Sequence, residues 1–201
     1  MIVIGVPTTG AIPTRVVGCI DDLLLTRKEV YPCYIEGSLV YDARAKIVNH
    51  ALSQGADLLF LDSDIIFPRE GFDRLVAHNA DIVSGLYYGR HPGSKPIAYK
   101  TIKPKTFFHD PVVEPIDVNN LQPYMEIAGA GLGFCLIRHN VLKSLTSLKV
   151  NPFEPFGALG EDYSFFIRAK RKGFKCMLDT TFELKHLGDY EYSAKDYIQE
   201  G

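Results

Sequence analysis

The sequence predicts an α/β protein with a Rossmann-like, mostly parallel central sheet flanked by helices. Two observations predict this fold class. In the first 90 residues, short apolar runs alternate with segments whose apolar residues recur at helical spacing. This alternation is typical of a parallel sheet that is covered on both faces. Residues 91–128 then interrupt the pattern with several prolines and scattered aromatics, and we expect them to form a small irregular β excursion.

The first half of the chain supplies the repeating strand and helix units. Strands are predicted at residues 2–6, 31–35, 57–61 and 81–87, and helices at residues 14–26, 41–54 and 68–77. The second of these helices has an apolar face that runs from Ala45 to Leu52, and Gly55 is its stop signal. Pro68 suits the first turn of the third helix, because a proline there loses no helical hydrogen bond.

The second half returns to the sheet after the excursion. β-like runs are predicted at residues 97–102 and 111–118, strands at 134–138 and 175–179, and helices near 139–147 and at 161–172. Helix 161–172 should turn Phe165, Phe166 and Ala169 inward. We expect the excursion to hold a hairpin and a mobile loop, and residues 91–123 to act as a lid that orders when a ligand binds.

Composition and charge narrow the class of protein. A chain of 201 residues fits one domain, and its net charge of −2 at pH 7 leaves no basic excess for nucleic acid binding. Cys19, Cys33, Cys135 and Cys176 form no CxxC pair and have mostly apolar neighbours, which predicts reduced thiols and a cytoplasmic protein. No run of about 18 apolar residues predicts a membrane span.

Two carboxylates follow the third predicted strand directly. Asp62-Ser63-Asp64 comes at the end of the apolar run 57–61, so both acids are expected at the carboxyl edge of the sheet, where open α/β sheets bind ligands. Two hard oxygen donors at this spacing suit Mg²⁺ or Mn²⁺ that holds phosphate oxygens. The alternative interpretation is a solvated turn.

A second acidic pair, Glu161 and Asp162, opens the last amphipathic helix. One interpretation is structural, because acidic side chains are stabilised near the positive end of a helix dipole. The other is a carboxylate general base at the rim of an active site, which requires partial desolvation to raise its pKa.

Taken in order, three segments of the chain resemble nucleotide-sugar glycosyltransferases of the GT-A fold, in the style of family 2. The segments are Phe60-Leu61-Asp62-Ser63-Asp64, the glycine-rich run from Gly129 to Arg138, and the run from Gly160 to Arg168 followed by Gly173-Phe174-Lys175, Asp179 and His186-Leu187-Gly188. They are similar to the family's DxD strand, its glycine-rich segment before a core strand, and its acidic-pair helix with a terminal metal-binding histidine. The small size also resembles the compact glycosyltransferases of phages and archaeal viruses, which implies a host-cytoplasmic location if the chain is viral.

The resemblance implies a role for each acidic residue and for the histidine. Asp64 corresponds to the direct ligand of Mn²⁺ or Mg²⁺, and Asp62 to the residue that contacts the donor ribose and supports the metal site. His186 corresponds to a further metal ligand, although a lone histidine is often only a packed or surface residue. Asp162 corresponds to the catalytic base of inverting members, with Glu161 as its supporting neighbour and the second candidate for the base.

The same resemblance implies a nucleotide-binding surface. Pro7, Thr8 and Thr9 correspond to the stretch that passes the nucleobase and ribose, and Ser63 lies within the donor-binding DxD. Arg44 lies on a helix that carries a basic donor contact in related enzymes, and the alternative is a solvated helix charge. An Asp that grips the base in many family members has no clear counterpart here.

The expected activity is transfer of a sugar from a nucleoside-diphosphate sugar to a hydroxyl of a glycan, protein or other acceptor, with inversion if the attack is direct. Residues 1–90 form the expected nucleotide-binding half of a single GT-A domain, and residues 91–201 the acceptor-binding and catalytic half. Tyr87, Tyr88 and Arg90 follow the fourth strand on the presumed acceptor side, where the tyrosines either stack on a sugar or simply pack.

Two other classes of function would use the same residues differently. A metal-dependent nucleotidyltransferase or a nucleotide-sugar hydrolase would use the same pair of aspartates, and a binding protein would keep the fold without catalysis. A dinucleotide-binding enzyme is disfavoured, because Gly129-Ala130-Gly131-Leu132-Gly133 precedes a strand, whereas the dinucleotide turn follows one.

Overall fold

The computed structural model describes residues 1–37, 39–91, 93–104, 111–147, 150–188 and 191–193. The strands of these ranges are β1 Ile2–Thr8, β2 Val30–Glu36, β3 Asp57–Leu61, β4 Ile65–Ile66, β5 Ile82–Gly85, β6 Ala98–Lys103, β7 Val112–Pro115, β8 Tyr124–Ile127, β9 Gly129–Ala130, β10 Phe134–Ile137, β11 Cys176–Asp179, β12 Lys185–Leu187 and β13 Glu191–Tyr192. The helices are α1 Thr14–Thr26, α2 Val40–Ser53, α3 Arg69–Ala77, α4 His139–Thr146 and α5 Glu161–Arg171, with a 3₁₀ turn at Val118–Asn120.

A seven-stranded sheet in the order β2-β1-β3-β10-β5-β11-β8 forms the centre of the protein. β1 pairs in parallel with β2 and β3, and β5 pairs in parallel with β11. β10 and β8 run antiparallel to their neighbours. The mixed α/β fold with a mostly parallel sheet is therefore as predicted, but the reversed direction of β10 and β8 was not.

Helices cover both faces of this sheet, as the alternating sequence pattern predicted. The apolar faces of α2, α4 and α5 pack on one side, and those of α1 and α3 pack on the other. Contact between α2 and β1 is close enough that a methyl group on Gly5 would meet the side chains of Ile47 and Leu58. Burial of these faces supplies most of the driving force for folding.

The antiparallel direction of β10 brings the glycine-rich segment to the edge of the sheet at which β3 ends. Phe134 is paired with Leu61, so the residues before Phe134 lie beside the residues that follow β3. The backbone N–H of Asp62 accordingly donates to the carbonyl of Gly133 at 2.9 Å. A parallel strand at this position would have placed the glycines at the opposite edge.

Two small sheets flank the large one. β6 pairs with β7 and β9, which confirms the predicted hairpin of the excursion. The remainder of the excursion returns to the large sheet as β8. The predicted lid over residues 91–123 stays a prediction, and Pro92 and residues 105–110 within it lie outside the described residues.

The second small sheet joins β4, β12 and β13. His186 is paired with Ile65 across β12 and β4, which sets the histidine one residue from Asp64 on the neighbouring strand. This C-terminal strand was not predicted, because β12 has only three residues and a run that short carries no clear sequence pattern.

The cysteines are free, as predicted from their spacing. All four cysteines are free thiols, and Cys33, Cys135 and Cys176 are buried. Among the described residues, no helix is long and apolar enough to span a membrane.

Candidate active site

The carboxyl edge of β3 gathers acidic residues from two distant parts of the chain around one arginine. Arg44 of α2 donates from Nη2 to Asp62 Oδ1 at 3.0 Å. The same guanidinium lies 3.8 Å from Glu161 Oε1 through Nε and 3.7 Å from Asp162 Oδ1 through Nη2. The DxD segment and the acidic pair of α5 therefore share one cluster, as expected from their order in the sequence.

Arg44 is buried, with 2% of its side chain exposed, so the alternative interpretation of a solvated helix charge is wrong. Its guanidinium packs over the ring of Phe60, with 5.1 Å from Cζ to the ring centroid. Burial by itself lowers the pKa of Arg44, but the three nearby carboxylates outweigh it and hold the pKa above its ordinary value. A buried cation with three acidic neighbours is stable only as part of this cluster.

Asp162 is held at the first turn of α5 without capping its own helix. Gly160 is the N-cap residue, and no side chain caps the helix there. Asp162 Oδ2 instead accepts a hydrogen bond from the backbone N–H of Leu132 at 3.3 Å. A quarter of the side chain is exposed, whereas Oδ1 is buried and has no hydrogen-bond partner. The buried oxygen of this half-buried carboxylate therefore lacks the hydrogen bond that buried polar atoms usually have.

Burial raises the pKa of Asp162 to about 7, against the attraction of Arg44, and the negative charges of Glu161 and Asp62 add to the rise. A carboxyl group with a pKa near neutrality can accept a proton from a hydroxyl far more effectively than an ordinary carboxylate can. The structure therefore gives Asp162 the property expected of a general base.

Tyr87 lies beside the carboxylates of the cluster, a position that was not predicted from the sequence. Its side chain is buried, and its hydroxyl oxygen accepts from the backbone N–H of Gly133 at 3.1 Å. Burial, together with the charges of Asp62 and Asp162, raises the pKa of this phenol well above its ordinary value, which keeps it neutral. A methyl group on Gly133 would press on the Tyr87 hydroxyl and on Asp62 Oδ2. Of the two predicted roles for Tyr87 and Tyr88, burial of both supports packing.

Asp64 and His186 form a second group beside this cluster. His186 Nδ1 lies 2.8 Å from the carbonyl oxygen of Tyr88, and a carbonyl only accepts, so Nδ1 carries a proton. His186 Nε2 lies 3.4 Å from Asp64 Oδ1. In the neutral ring Nε2 is an acceptor, and two acceptors then face each other unless a proton or a metal cation lies between them.

Arg90 makes the third contact of this second group. Its Nη1 donates to Asp64 Oδ2 at 2.9 Å, so the arginine contacts an acidic residue and does not merely border the acceptor side. Burial by itself raises the pKa of Asp64, but the hydrogen bond and charge of His186 and the charge of Arg90 hold the pKa below its ordinary value. Asp64 is therefore an ionised carboxylate between two basic side chains.

The remaining predicted residues lie at the same edge of the sheet. β1 and β3 are parallel neighbours, so the end of β1 lies beside the end of β3, where the DxD segment begins. Pro7 and Thr8 are the last residues of β1, and Thr9 follows them. The side-chain hydrogen bonds of Thr8 are local, since its hydroxyl donates to Ala11 O at 3.2 Å and accepts from Gly10 N at 3.1 Å. Ser63 is half-buried between Asp62 and Asp64. The donor-binding roles of these four residues stay predictions.

Metal binding was predicted for Asp62, Asp64 and His186. Among the described residues, no group of three or more His, Cys, Asp or Glu side chains is arranged to hold a metal ion. Asp62 is directed to Arg44, which leaves Asp64 and His186 as the nearest pair of suitable donors. A carboxylate and an imidazole are both groups that bind divalent cations, and the remaining ligands of such a cation would come from phosphate oxygens and water.

Comparisons with known proteins identify the fold. No protein-family model and no curated protein sequence matches the chain. Among solved structures, the viral protein A197 from STIV has a TM-score of 0.68 at 19% sequence identity, covering 97% of this chain and 91% of that chain. This likeness confirms the predicted α/β fold of the GT-A type, and at this identity it shows the fold alone.

Two enzymes give weaker structural likenesses. Residues 1–349 of TarS from S. aureus have a TM-score of 0.48 at 16% identity, covering 90% of this chain and 58% of that chain. A 4-diphosphocytidyl-2C-methyl-D-erythritol synthase has a TM-score of 0.46 at 11% identity, covering 100% of this chain and 92% of that chain. Neither adds to what A197 shows of the fold.

Proposed function

We propose that the chain is a glycosyltransferase that moves a sugar from a nucleoside-diphosphate sugar to a hydroxyl acceptor, with Asp162 as general base. The observation that carries this proposal is the state of Asp162. Its carboxyl group is poorly hydrogen-bonded, its pKa is raised to about 7, and it lies in one cluster with the DxD segment. Perturbed acids of this kind are concentrated at functional sites.

In the proposed reaction, Asp162 accepts the proton of the acceptor hydroxyl as the hydroxyl oxygen attacks the anomeric carbon. The bond between that carbon and the phosphate oxygen breaks, and its electron pair leaves with the nucleoside diphosphate. Direct attack of this kind inverts the anomeric centre. The proton taken by Asp162 then passes to solvent, which reaches the exposed quarter of the side chain.

Asp64 and His186 are proposed to hold a divalent cation, Mn²⁺ or Mg²⁺, with Asp62 in a supporting position. When bound, the cation would neutralise negative charge on the leaving diphosphate. The hydrogen bond from His186 Nδ1 to the Tyr88 carbonyl orients the ring so that Nε2 faces Asp64. Such outer contacts are typical of histidines that bind metals.

Arg44 has a different proposed role from the donor contact that the resemblance implied. Its guanidinium is buried and directed to Asp62, Glu161 and Asp162, which suits an organising cation between the donor side and the base. The attraction of Arg44 also limits how far the pKa of Asp162 rises. Pro7, Thr8, Thr9 and Ser63 remain the proposed contacts of the nucleoside, and the segment after residue 90 the proposed acceptor side.

A nucleotidyltransferase or a nucleotide-sugar hydrolase would place a phosphate at the same edge of the sheet. Attack at phosphorus by a phosphate oxygen needs no general base, because that nucleophile carries no proton to remove. The raised pKa of Asp162 therefore favours an acceptor with a hydroxyl group. Hydrolysis differs from transfer only in using water as the acceptor.

The test is product analysis after ligand screening. A thermal-shift panel of nucleoside diphosphates, each with and without Mn²⁺, should give one nucleotide whose stabilisation requires the cation, because a ligand of the folded state raises the melting temperature. Incubation with the corresponding nucleotide sugars and with glycan or alcohol acceptors should then give a glycosylated product. Hydrolysis with every acceptor class would support the hydrolase, and absence of any nucleotide binding would contradict the proposed function altogether.

A further inference from the structure

Arg90 lies on the carboxylate that is proposed to bind the cation. Its Nη1 is 2.9 Å from Asp64 Oδ2, while His186 Nε2 is 3.4 Å from Asp64 Oδ1. Both oxygens of Asp64 therefore face a basic side chain. The Arg90 side chain is 56% exposed, so it is not fixed in place by packing.

A guanidinium in this position opposes the binding of a metal ion by itself. A divalent cation at Asp64 would have to displace Arg90 from Oδ2 or remain a few ångströms from its positive charge, and like charges at such distances repel. A diphosphate removes this conflict, because its oxygens offer the guanidinium a replacement for the carboxylate. Arginine is well suited to the exchange, since its planar fork matches carboxylate and phosphate groups alike.

We propose that Arg90 is a diphosphate-binding residue that couples the nucleotide to the cation. In the absence of nucleotide it pairs with Asp64 and weakens the binding of metal alone. In the presence of a nucleoside diphosphate it transfers to the phosphate oxygens and leaves Asp64 to the cation. The inference rests on the proposed function, since it assigns Arg90 to the donor side of that same site.

The coupling has a consequence that an ordinary surface ion pair lacks. Metal and nucleotide should each increase the affinity for the other by the same factor, because coupling between two binding events is reciprocal. Removing Arg90 should then strengthen the binding of metal alone and weaken the binding of the nucleotide. A purely structural ion pair at this degree of exposure contributes little to stability, and its removal would change neither affinity.

The experiment compares the wild-type protein with Arg90→Gln, Arg90→Lys and the control Arg27→Gln. The control removes the Arg27–Asp73 pair, another partly exposed arginine–aspartate contact, which joins the end of α1 to α3. Binding of Mn²⁺ alone is measured by the loss of the electron paramagnetic resonance signal of free Mn²⁺. Binding of the nucleoside diphosphate selected by the thermal-shift panel is measured by calorimetry at saturating Mg²⁺.

We expect Arg90→Gln to lower the Kd of Mn²⁺ and to raise the Kd of the nucleoside diphosphate, each roughly tenfold, as is typical for hydrogen bonds to charged groups. Arg90→Lys should retain part of both effects, and Arg27→Gln should match the wild type. Equal affinities in wild type and Arg90→Gln, or changes of both affinities in one direction, would overturn the inference alone. Failure of the wild-type protein to bind either Mn²⁺ or any nucleoside diphosphate would overturn the proposed function with it.

Discussion

Two aspartates, the half-buried Asp162 and the fully buried Asp179, show how the same side chain serves different purposes in one protein. Asp179 ends β11, and its carboxylate accepts from Thr181 N at 2.9 Å, Thr181 Oγ1 at 2.5 Å, His78 Nε2 at 2.7 Å and Arg74 Nε at 3.1 Å. Asp162 accepts a single backbone hydrogen bond at 3.3 Å, and its nearest cation is 3.7 Å away. One carboxylate is fully satisfied and the other is not.

The pKa values of the two groups move in opposite directions as a result. Burial raises both, but around Asp179 the hydrogen bonds from Thr181 and His78 and the charge of Arg74 outweigh it, and the pKa falls below its ordinary value. Around Asp162 burial prevails and the pKa rises to about 7. A carboxylate that is stable when ionised holds the fold together, whereas one that is destabilised when ionised is ready to take a proton.

The largest expected effect is that of Asp162→Asn on sugar transfer. Loss of a general base should lower kcat roughly 10²- to 10⁴-fold, while binding of nucleotide and metal is retained. The measurement is turnover with the donor and acceptor that the screen identifies, with Glu161→Gln as the matched control at the neighbouring acid. Wild-type transfer by Asp162→Asn, with loss in Glu161→Gln, would move the base to Glu161 and break the comparison.

Wild-type activity and stability should depend on pH in the direction that the raised pKa of Asp162 dictates. Transfer should fall as the pH decreases through about 7, because the base becomes protonated. Stability has the opposite dependence, because the carboxyl ionises near 3.8 in the unfolded chain but near 7 in the folded protein. The free energy of unfolding should therefore decrease as the pH rises from 3.8 to about 7. Asp162→Asn should therefore gain stability relative to the wild type over this range in urea unfolding, and a constant difference would contradict the pKa shift.

Asp179→Asn should differ from Asp162→Asn in both respects. It should lower stability strongly and have only a small effect on turnover. Removing one partner of a buried ionic cluster costs about 3 kcal/mol, here because Arg74 and His78 lose their common acceptor. Since the folded pKa is depressed, this contribution is present above the unfolded value of 3.8 and disappears as the pH falls through the folded value. Urea unfolding checks the cost. Loss of turnover without loss of stability would place Asp179 in the catalytic machinery.

Most of the fold could be predicted from local patterns. The helix over residues 14–26 and the strand over residues 57–61 have the predicted bounds, because each is a strong periodic or apolar segment with clear punctuation. The direction of β10 was not predictable, since its four residues, Phe134–Ile137, are buried on both faces and carry no signal of orientation. Direction here depends on which edge of the sheet the preceding loop reaches, and that is a property of the whole chain.

The acidic residues of the site were predicted, but the ion pairs that they form with Arg44 and Arg90 were not. A DxD after a strand and an acidic pair at a helix start are visible in the sequence, and both lie in the cluster. The burial of Arg44 among them was not visible, because a lone arginine on a helix has no periodic signature. Arg90 was predicted to follow the fourth strand on the presumed acceptor side, and its contact with Asp64 was not predicted because it depends on the backbone path after β5. Burial and partner choice are tertiary properties, and they decide whether an acid is structural or reactive.

The smallest expected effect sharpens the comparison at Asp179. Thr181→Ala removes the hydroxyl that donates to Asp179 Oδ1 but keeps the backbone N–H that donates to the same oxygen. The matched control is Thr180→Ala, because the adjacent hydroxyl donates instead to the neutral carbonyl of Gln122 at 2.9 Å.

Each of these threonine substitutions should cost about 1 kcal/mol at pH 7 in urea unfolding. The two costs should separate on acidification, because only the partner of Thr181 titrates. As the pH falls through the folded pKa of Asp179, the carboxylate becomes neutral and the charge-assisted part of the Thr181 bond is lost, so the cost of Thr181→Ala should shrink. The cost of Thr180→Ala should stay constant. Parallel pH dependence in the two variants would mean that the Thr181 hydroxyl does not help to lower the pKa of Asp179, and the contrast with Asp162 would then rest on His78, Arg74 and the Thr181 backbone N–H.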